Sequence, residues 1–141
     1  MPLSRIIYSS QAAPGLGLAQ QRAILERARR SNEKLGITGI LLYCEGRFVQ
    51  AIEGERSDVS ALFQRISADR RHLQVTLLEV SEEEERLFGE RGMNFVSLTQ
   101  AQTRERAEVI RGAMGAFKAF DPDLMSSESV RALLVDLSRV Y

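Results

Sequence analysis

Residues 36–54 read GITGILLYCEGRFVQAIEG. Gly36 is a natural helix terminator. Ile37 to Cys44 is apolar on both faces, which predicts a strand covered on both sides. Glu45-Gly46 supplies a tight turn, and Arg47 to Glu53 returns as a second strand, with Phe48, Gln50 and Ile52 on one face. Gly54 ends it. This hairpin sits between two matching halves. Upstream, Leu3 to Ser9 is a short β-branched strand, parted by Pro14, Gly15 and Gly17 from a helix over Leu18 to Leu35. That helix repeats Leu25, Ala28, Asn32 and Leu35 at i+3 and i+4 steps. Downstream, Ser57 is placed to cap a helix to Asp69 with the stripe Val59, Leu62, Phe63, Ile66, and Leu73 to Val80 is a strand. The order β-α-β-β-α-β is an α+β, ferredoxin-like arrangement. Its first and third strands lie side by side at the sheet centre, and both helices cover one face.

Further along, Ser81 followed by Glu84 resembles a capping box for a short helical turn. The acidic run Glu82 to Glu85 suits a helix N-terminus or a solvated turn. Met93 to Leu98 reads as an extra strand. The pattern then becomes purely helical. Ala107, Ile110, Met114 and Phe117 make one stripe, Asp121-Pro122-Asp123 breaks it, and Val130, Leu133, Leu134, Leu137 and Val140 make a second. These two stripes form a C-terminal helical hairpin. It is expected to cover the bare sheet face, to form a contact with a second copy, or both. The chain divides into residues 1–98 and a 99–141 extension.

With 141 residues, one self-sufficient core is expected and two would be cramped. Nineteen basic residues balance 19 acidic ones, which argues against direct nucleic-acid binding. The lone Cys44 and lone His72 exclude an intrachain disulfide and multi-cysteine or multi-histidine metal sites. No apolar run approaches a membrane span and no signal-peptide core is visible, so a cytoplasmic protein without membrane contact is expected.

Three polar residues fall in apolar places. Tyr8 shares a strand face with Ile6. Gln50 stands between Phe48 and Ile52. Asn32 interrupts the apolar stripe of the first helix. The ferredoxin-like order brings all three together. A buried amide without a partner costs roughly 1–3 kcal/mol, so Asn32 and Gln50 need either each other or a polar ligand. Arg65 and Asp69, four apart on the second helix, and His72 just beyond read either as a surface ion pair with a helix-end histidine or as the mouth of a slot. Such a slot has amides at its floor, Ile24, Phe48 and Ile66 as walls, and a cationic mouth. It suits a flat heteroaromatic ligand with imide-like hydrogen bonding and a charged tail, and flavin fits that description.

The sequence resembles the BLUF family, blue-light sensors using flavin adenine dinucleotide (FAD). The matching pieces are Arg5-Ile-Ile-Tyr8-Ser9-Ser10, Asn32, Gly36 to Tyr43, Gly46-Arg-Phe-Val-Gln50-Ala-Ile-Glu-Gly54, Ile66 to Asp69, and Arg71-His72. The match runs over roughly Leu3 to Leu98. The resemblance implies that Tyr8 is the photochemical electron and proton donor, that Gln50 bridges it to the flavin, and that Asn32 anchors the pyrimidine edge. It places Arg65, Asp69 and His72 among the polar contacts of the flavin and its tail, and Met93 near the glutamine. Two positions depart from the pattern. Arg91 stands where many members have tryptophan, and Ser31, also on the cofactor side, stands where several have Asn or His. With no output domain after the hairpin, the resemblance implies a short sensor acting on a separate partner protein, not an enzyme. A homodimer or larger assembly is expected through the hairpin. The competing readings are a small flavin oxidoreductase, a light-insensitive binding module of the same fold, and an acylphosphatase-like enzyme. The last lacks an arginine in its Pro14-Gly-Leu-Gly17 loop.

Overall fold

The hairpin closes as β2 (Thr38–Cys44) and β3 (Arg47–Glu55) in a computed structural model, which describes residues 3–89, 93–97 and 121–139. Glu45 and Gly46 both take positive φ, 50° and 79°, the geometry of a two-residue turn matched to strand twist. Before the hairpin come β1 (Leu3–Ala12) and α1 (Leu18–Leu35). Gly36 ends α1 at φ 68°, and its N–H returns to the carbonyls of Asn32 and Glu33. After the hairpin come α2 (Arg56–Ala68), β4 (His72–Glu83) and β5 (Met93–Ser97). A 3₁₀ turn at Pro122–Leu124 leads into α3 (Ser127–Arg139).

The strands are ordered β4-β1-β3-β2-β5, with β1 and β3 antiparallel at the centre and β5 parallel to β2. This is the ferredoxin-like sheet with one added edge. The alternation along each strand divides the core in two. On one face Ile6, Leu41, Tyr43, Phe48 and Ile52 pack with Ile24 and Leu25 of α1 and Val59 and Leu62 of α2. On the other, Ile7, Ile40, Leu42, Cys44, Val49 and Ala51 pack with Val130, Leu133, Leu134 and Leu137 of α3. The second C-terminal stripe therefore covers the face that α1 and α2 leave bare. The first stripe, from Ala107 to Phe117, lies outside the described residues, as do Arg91, Leu98 and Val140.

The turn before α3 is tied to the central strands. The Ser9 hydroxyl donates to Asp123, and Arg47 Nη1 lies 3.2 Å from Asp123 Oδ2 and 3.4 Å from Asp121 Oδ1.

Two local expectations are corrected. Ser81 opens no helical turn. β4 runs on to Glu83, pairing Arg5 with Ser81, Ser4 with Glu82 and Leu3 with Glu83. Strand pairing offers more backbone bonds than a four-residue turn. The acidic run is held there by cations, Arg5 beside Glu83 at 3.3 Å and Arg56 beside Glu82. Ser57 is likewise not the cap of α2. Glu55 is, and Ser57 donates to its carboxylate at 3.2 Å.

Candidate functional site

Between α1, α2 and the sheet lies a cavity of about 390 Å³. That is within the range of small-molecule sites, roughly 300–1,000 Å³. From α1 it is lined by Ile24, Arg27, Ala28, Ser31 and Asn32, spaced by helical turns. From α2 and its exit come Leu62, Arg65, Ile66, Ala68, Asp69, Arg71 and His72. The sheet supplies Leu41 and Gln50.

Tyr8 and Gln50 are direct register partners on the two central strands. Their side chains share the helix face, and the Tyr8 hydroxyl donates to Gln50 Oε1. The amide oxygen only accepts, so the proton on this bond belongs to Tyr8. Tyr8 is fully buried, against the edge of Phe63 at 5.7 Å between ring centroids. Burial, with the nearby Asp69 charge adding to it, pushes its pKa well above the usual phenol value. Tyr8 therefore stays protonated at any physiological pH.

Asn32 is buried on α1, and neither its Oδ1 nor its Nδ2 has a hydrogen-bond partner among the described residues. Asn32 is among the residues that line the cavity. An orphaned buried amide is rare in native proteins, and here a donor and an acceptor are orphaned side by side. That pair matches the imide-like edge of a flavin ring, as does the mixed apolar and polar lining. The residues present fit the group.

At the mouth, Asp69 pairs with Arg71, whose Nε lies 2.9 Å from Asp69 Oδ1, and not with Arg65. The Arg71 hydrogen bond holds the Asp69 carboxyl down at about 2 against the opposing pull of burial. This leaves Arg27 and Arg65, one on each helix, facing the cavity. His72 is buried, with its Nδ1 2.8 Å from the Ser10 hydroxyl. Burial lowers its pKa, Asp69 opposes this and Arg71 adds to it. Phe48 does not line the cavity. It is fully buried behind His72 and Tyr43, at ring-centroid distances of 4.8 Å and 5.1 Å.

Residues 3–94 match the family model for BLUF, sensors of blue light using FAD. The chain belongs to the BLUF family. It is similar to the photoactivated adenylate cyclase subunit beta of Euglena gracilis, 37% identical over 86 residues, which cover 61% of this chain and 10% of that protein. It spans about a tenth of the length of such cyclase subunits. It is also similar to the blue light- and temperature-regulated antirepressor BluF of Escherichia coli, 28% identical over 109 residues, 77% of this chain and 26% of that one. Among solved structures, BlsA in its photo-activated state has a TM-score of 0.83 at 29% identity, covering 96% of this chain and 94% of that chain. The dark-state structure of BlrB, a BLUF protein, has a TM-score of 0.78 at 30% identity, covering 99% and 98%. The BLUF unit is a photosensor and not itself an enzyme.

Of the BLUF site residues expected from the sequence, Ile24, Ser31, Asn32, Gln50, Arg65, Ile66, Asp69 and His72 meet at the cavity, with Tyr8 directly behind Gln50. Ser31 turns its hydroxyl back to the Arg27 carbonyl at 3.0 Å. Met93 opens β5 as the register partner of Gly39. Arg27, Ala28, Leu41, Leu62 and Ala68 line the cavity without having been assigned to the site from the sequence. Ala28 follows Ile24 by one helical turn, a spacing that would have found it. Leu41 shares the parity of Tyr43, while Arg71 stood in the family motif with no role attached. No helix among the described residues is long and apolar enough to cross a membrane, and no metal-binding cluster occurs among them.

Proposed function

We propose that this chain is a blue-light photoreceptor that binds FAD noncovalently in the cavity between α1 and α2. The observation that carries the reading is the orphaned amide of Asn32, a residue that lines the same cavity as the Gln50 that receives the Tyr8 proton bond. Bound flavin supplies the absorption of blue light and an excited-state oxidant. Asn32 holds the polar edge of the ring, and Ile24, Leu41, Leu62 and Ile66 exclude water from its faces. Arg27 and Arg65 at the mouth suit a phosphate-bearing tail.

Tyr8 is the electron and proton donor. Its neutral, desolvated hydroxyl is already aligned on Gln50 Oε1, so proton movement needs no rearrangement of solvent. Return of the charge leaves the Gln50 amide rotated or tautomerised, with its donor and acceptor ends exchanged toward the cavity. Such a change is small, so it has to bias an element with two arrangements. The strand opened by Met93 is that element in this reading.

In this reading residues 1–98 hold the cofactor, and the 99–141 extension, whose α3 covers the second sheet face, carries the output. Output goes to a separate signalling protein, without nucleic acid or membrane contact, in the cytoplasm. The C-terminal hairpin also joins copies into a homodimer or larger assembly. The test of the reading is flavin content and spectral response. The protein should purify yellow with FAD and show a reversible red shift after blue light. A colourless protein that takes up no FAD would refute it.

A further inference from the structure

Two motif residues carry no role in the cavity. Arg5 and Glu53 lie on the opposite face of the sheet, three residues from Tyr8 and Gln50 on the same two strands. They are register partners, 3% and 1% exposed, with Arg5 Nε 2.9 Å from Glu53 Oε2.

Glu53 does more than pair with Arg5. Its Oε2 accepts from the Leu87 N–H at 2.8 Å, and its Oε1 accepts from the Phe88 N–H at 2.9 Å and the Thr38 hydroxyl at 3.4 Å. Arg86 Nη1 donates to Thr38 Oγ1 at 2.7 Å and to the Glu53 carbonyl at 3.2 Å. One carboxylate thus joins both central strands, the first residue of β2 and the segment that leads into β5. Thr38 immediately precedes Gly39, the register partner of Met93. Phe88 is buried with Ile40, Val96 and the apolar residues of α3.

A buried ion pair gains little over well-packed apolar residues in net stability, while fixing one arrangement of the groups it joins. We propose that Arg5 and Glu53 are positioning residues that lock the Arg86–Phe88 segment, and with it the start of β5, to the strands bearing Tyr8 and Gln50. The lock sets how long the light-altered arrangement persists. A change at Gln50 lies on the same strand as Glu53. For β5 to shift in response, the bonds from Glu53 to Leu87 and Phe88 have to stretch or exchange. The barrier to that exchange is also crossed on return to the dark state.

This inference rests on the photosensor reading above, and the test separates the two. The full chain with bound FAD is prepared as wild type, Glu53→Gln, Arg86→Gln and Arg5→Lys. Dark absorption and the rate of dark recovery after a blue flash are measured, with a thermal midpoint for each. Glu53→Gln keeps the shape and removes the charge. Arg86→Gln leaves the ion pair intact and removes only the bonds to Thr38 and the Glu53 carbonyl, so it tests the hold of the Arg86–Phe88 segment on β2 and β3. Arg5→Lys, which keeps the charge and loses the Nε bond to Glu53, tests the pair itself if Glu53→Gln does not fold. The dark absorption maximum should be unchanged, because none of the three residues lines the cavity. Recovery should be about tenfold faster in each variant that folds, the effect of losing one charge-assisted hydrogen bond from the barrier. Recovery equal to or slower than wild type, with only a lowered thermal midpoint, would overturn the proposal. A wild type with bound FAD and no red shift would overturn the photosensor reading itself, and the lock's role with it.

Discussion

Asn32→Leu separates a ligand anchor from an ordinary core residue, because the account gives it opposite signs in two measurements. Asn32 is 1% exposed, and both of its amide atoms lack partners among the described residues. Each buried unsatisfied polar group costs roughly 1–3 kcal/mol. Leucine has nearly the same shape and no polar atom. In the flavin-free protein the substitution should therefore leave stability unchanged or raise it by about 1–2 kcal/mol. FAD binding should respond the other way. Two hydrogen bonds worth about 1 kcal/mol each are lost, which weakens binding roughly 30-fold. The first quantity is read from urea unfolding of flavin-stripped protein, the second from quenching of flavin fluorescence on titration. A flavin-free variant less stable than wild type, with FAD affinity unchanged, would refute the reasoning. Asn32 would then be a core amide held by its neighbours.

Tyr8→Phe should retain FAD but lose the red shift, since the ring still packs against Phe63 while the proton on Gln50 is gone; difference spectra after blue light check this. His72 is pushed below its ordinary value of 6.5, so its neutral form contributes stability above that value, and this contribution is lost as pH falls from 6.5 through the lower folded-state value. Urea midpoints in this window should fall with pH in the wild type and fall less in His72→Gln. Cys44 is buried against α3, on the sheet face away from the cavity, with its thiol pushed up to about 11 by burial and by Glu45. Illumination should leave it free, and an alkylating reagent should label it only after unfolding.

The order of elements was legible because each element carried its own punctuation. Gly36 and Glu45-Gly46 marked the hairpin, although its second strand runs through Gly54 to Glu55, and the helical stripes had the period of 3.6 residues. The second sheet face was legible as a deficit, since β2 is apolar on both sides while α1 and α2 cover only one. The β4 end was misread because Ser81 and Glu84 satisfy a local helix rule. What decides that segment is non-local, namely pairing with Leu3 to Arg5 on the neighbouring strand. At the site, Tyr8, Asn32 and Gln50 stood out as polar residues at apolar positions. Arg27 did not, because an exposed arginine on a helix looks the same whether or not a cavity lies beside it. The depth of Phe48 was hidden for a related reason. Strand parity gives the face a residue occupies, but not its depth, and His72 stands beside Phe48 at the cavity wall. The partner of Asp69 was equally hidden, because Arg65 lies at the helical spacing while Arg71 reaches it across the turn that follows α2.

The central claim is that light rearranges a hydrogen bond at a noncovalently held flavin, without net reduction or a covalent adduct. The absorption spectrum of the purified protein, taken in the dark, after blue light and again after a dark interval, tests it most directly. The account predicts a small red shift of the visible flavin band with its intensity kept, and full return in the dark. A bleached visible band after illumination would contradict it, and so would an unchanged spectrum with flavin still bound.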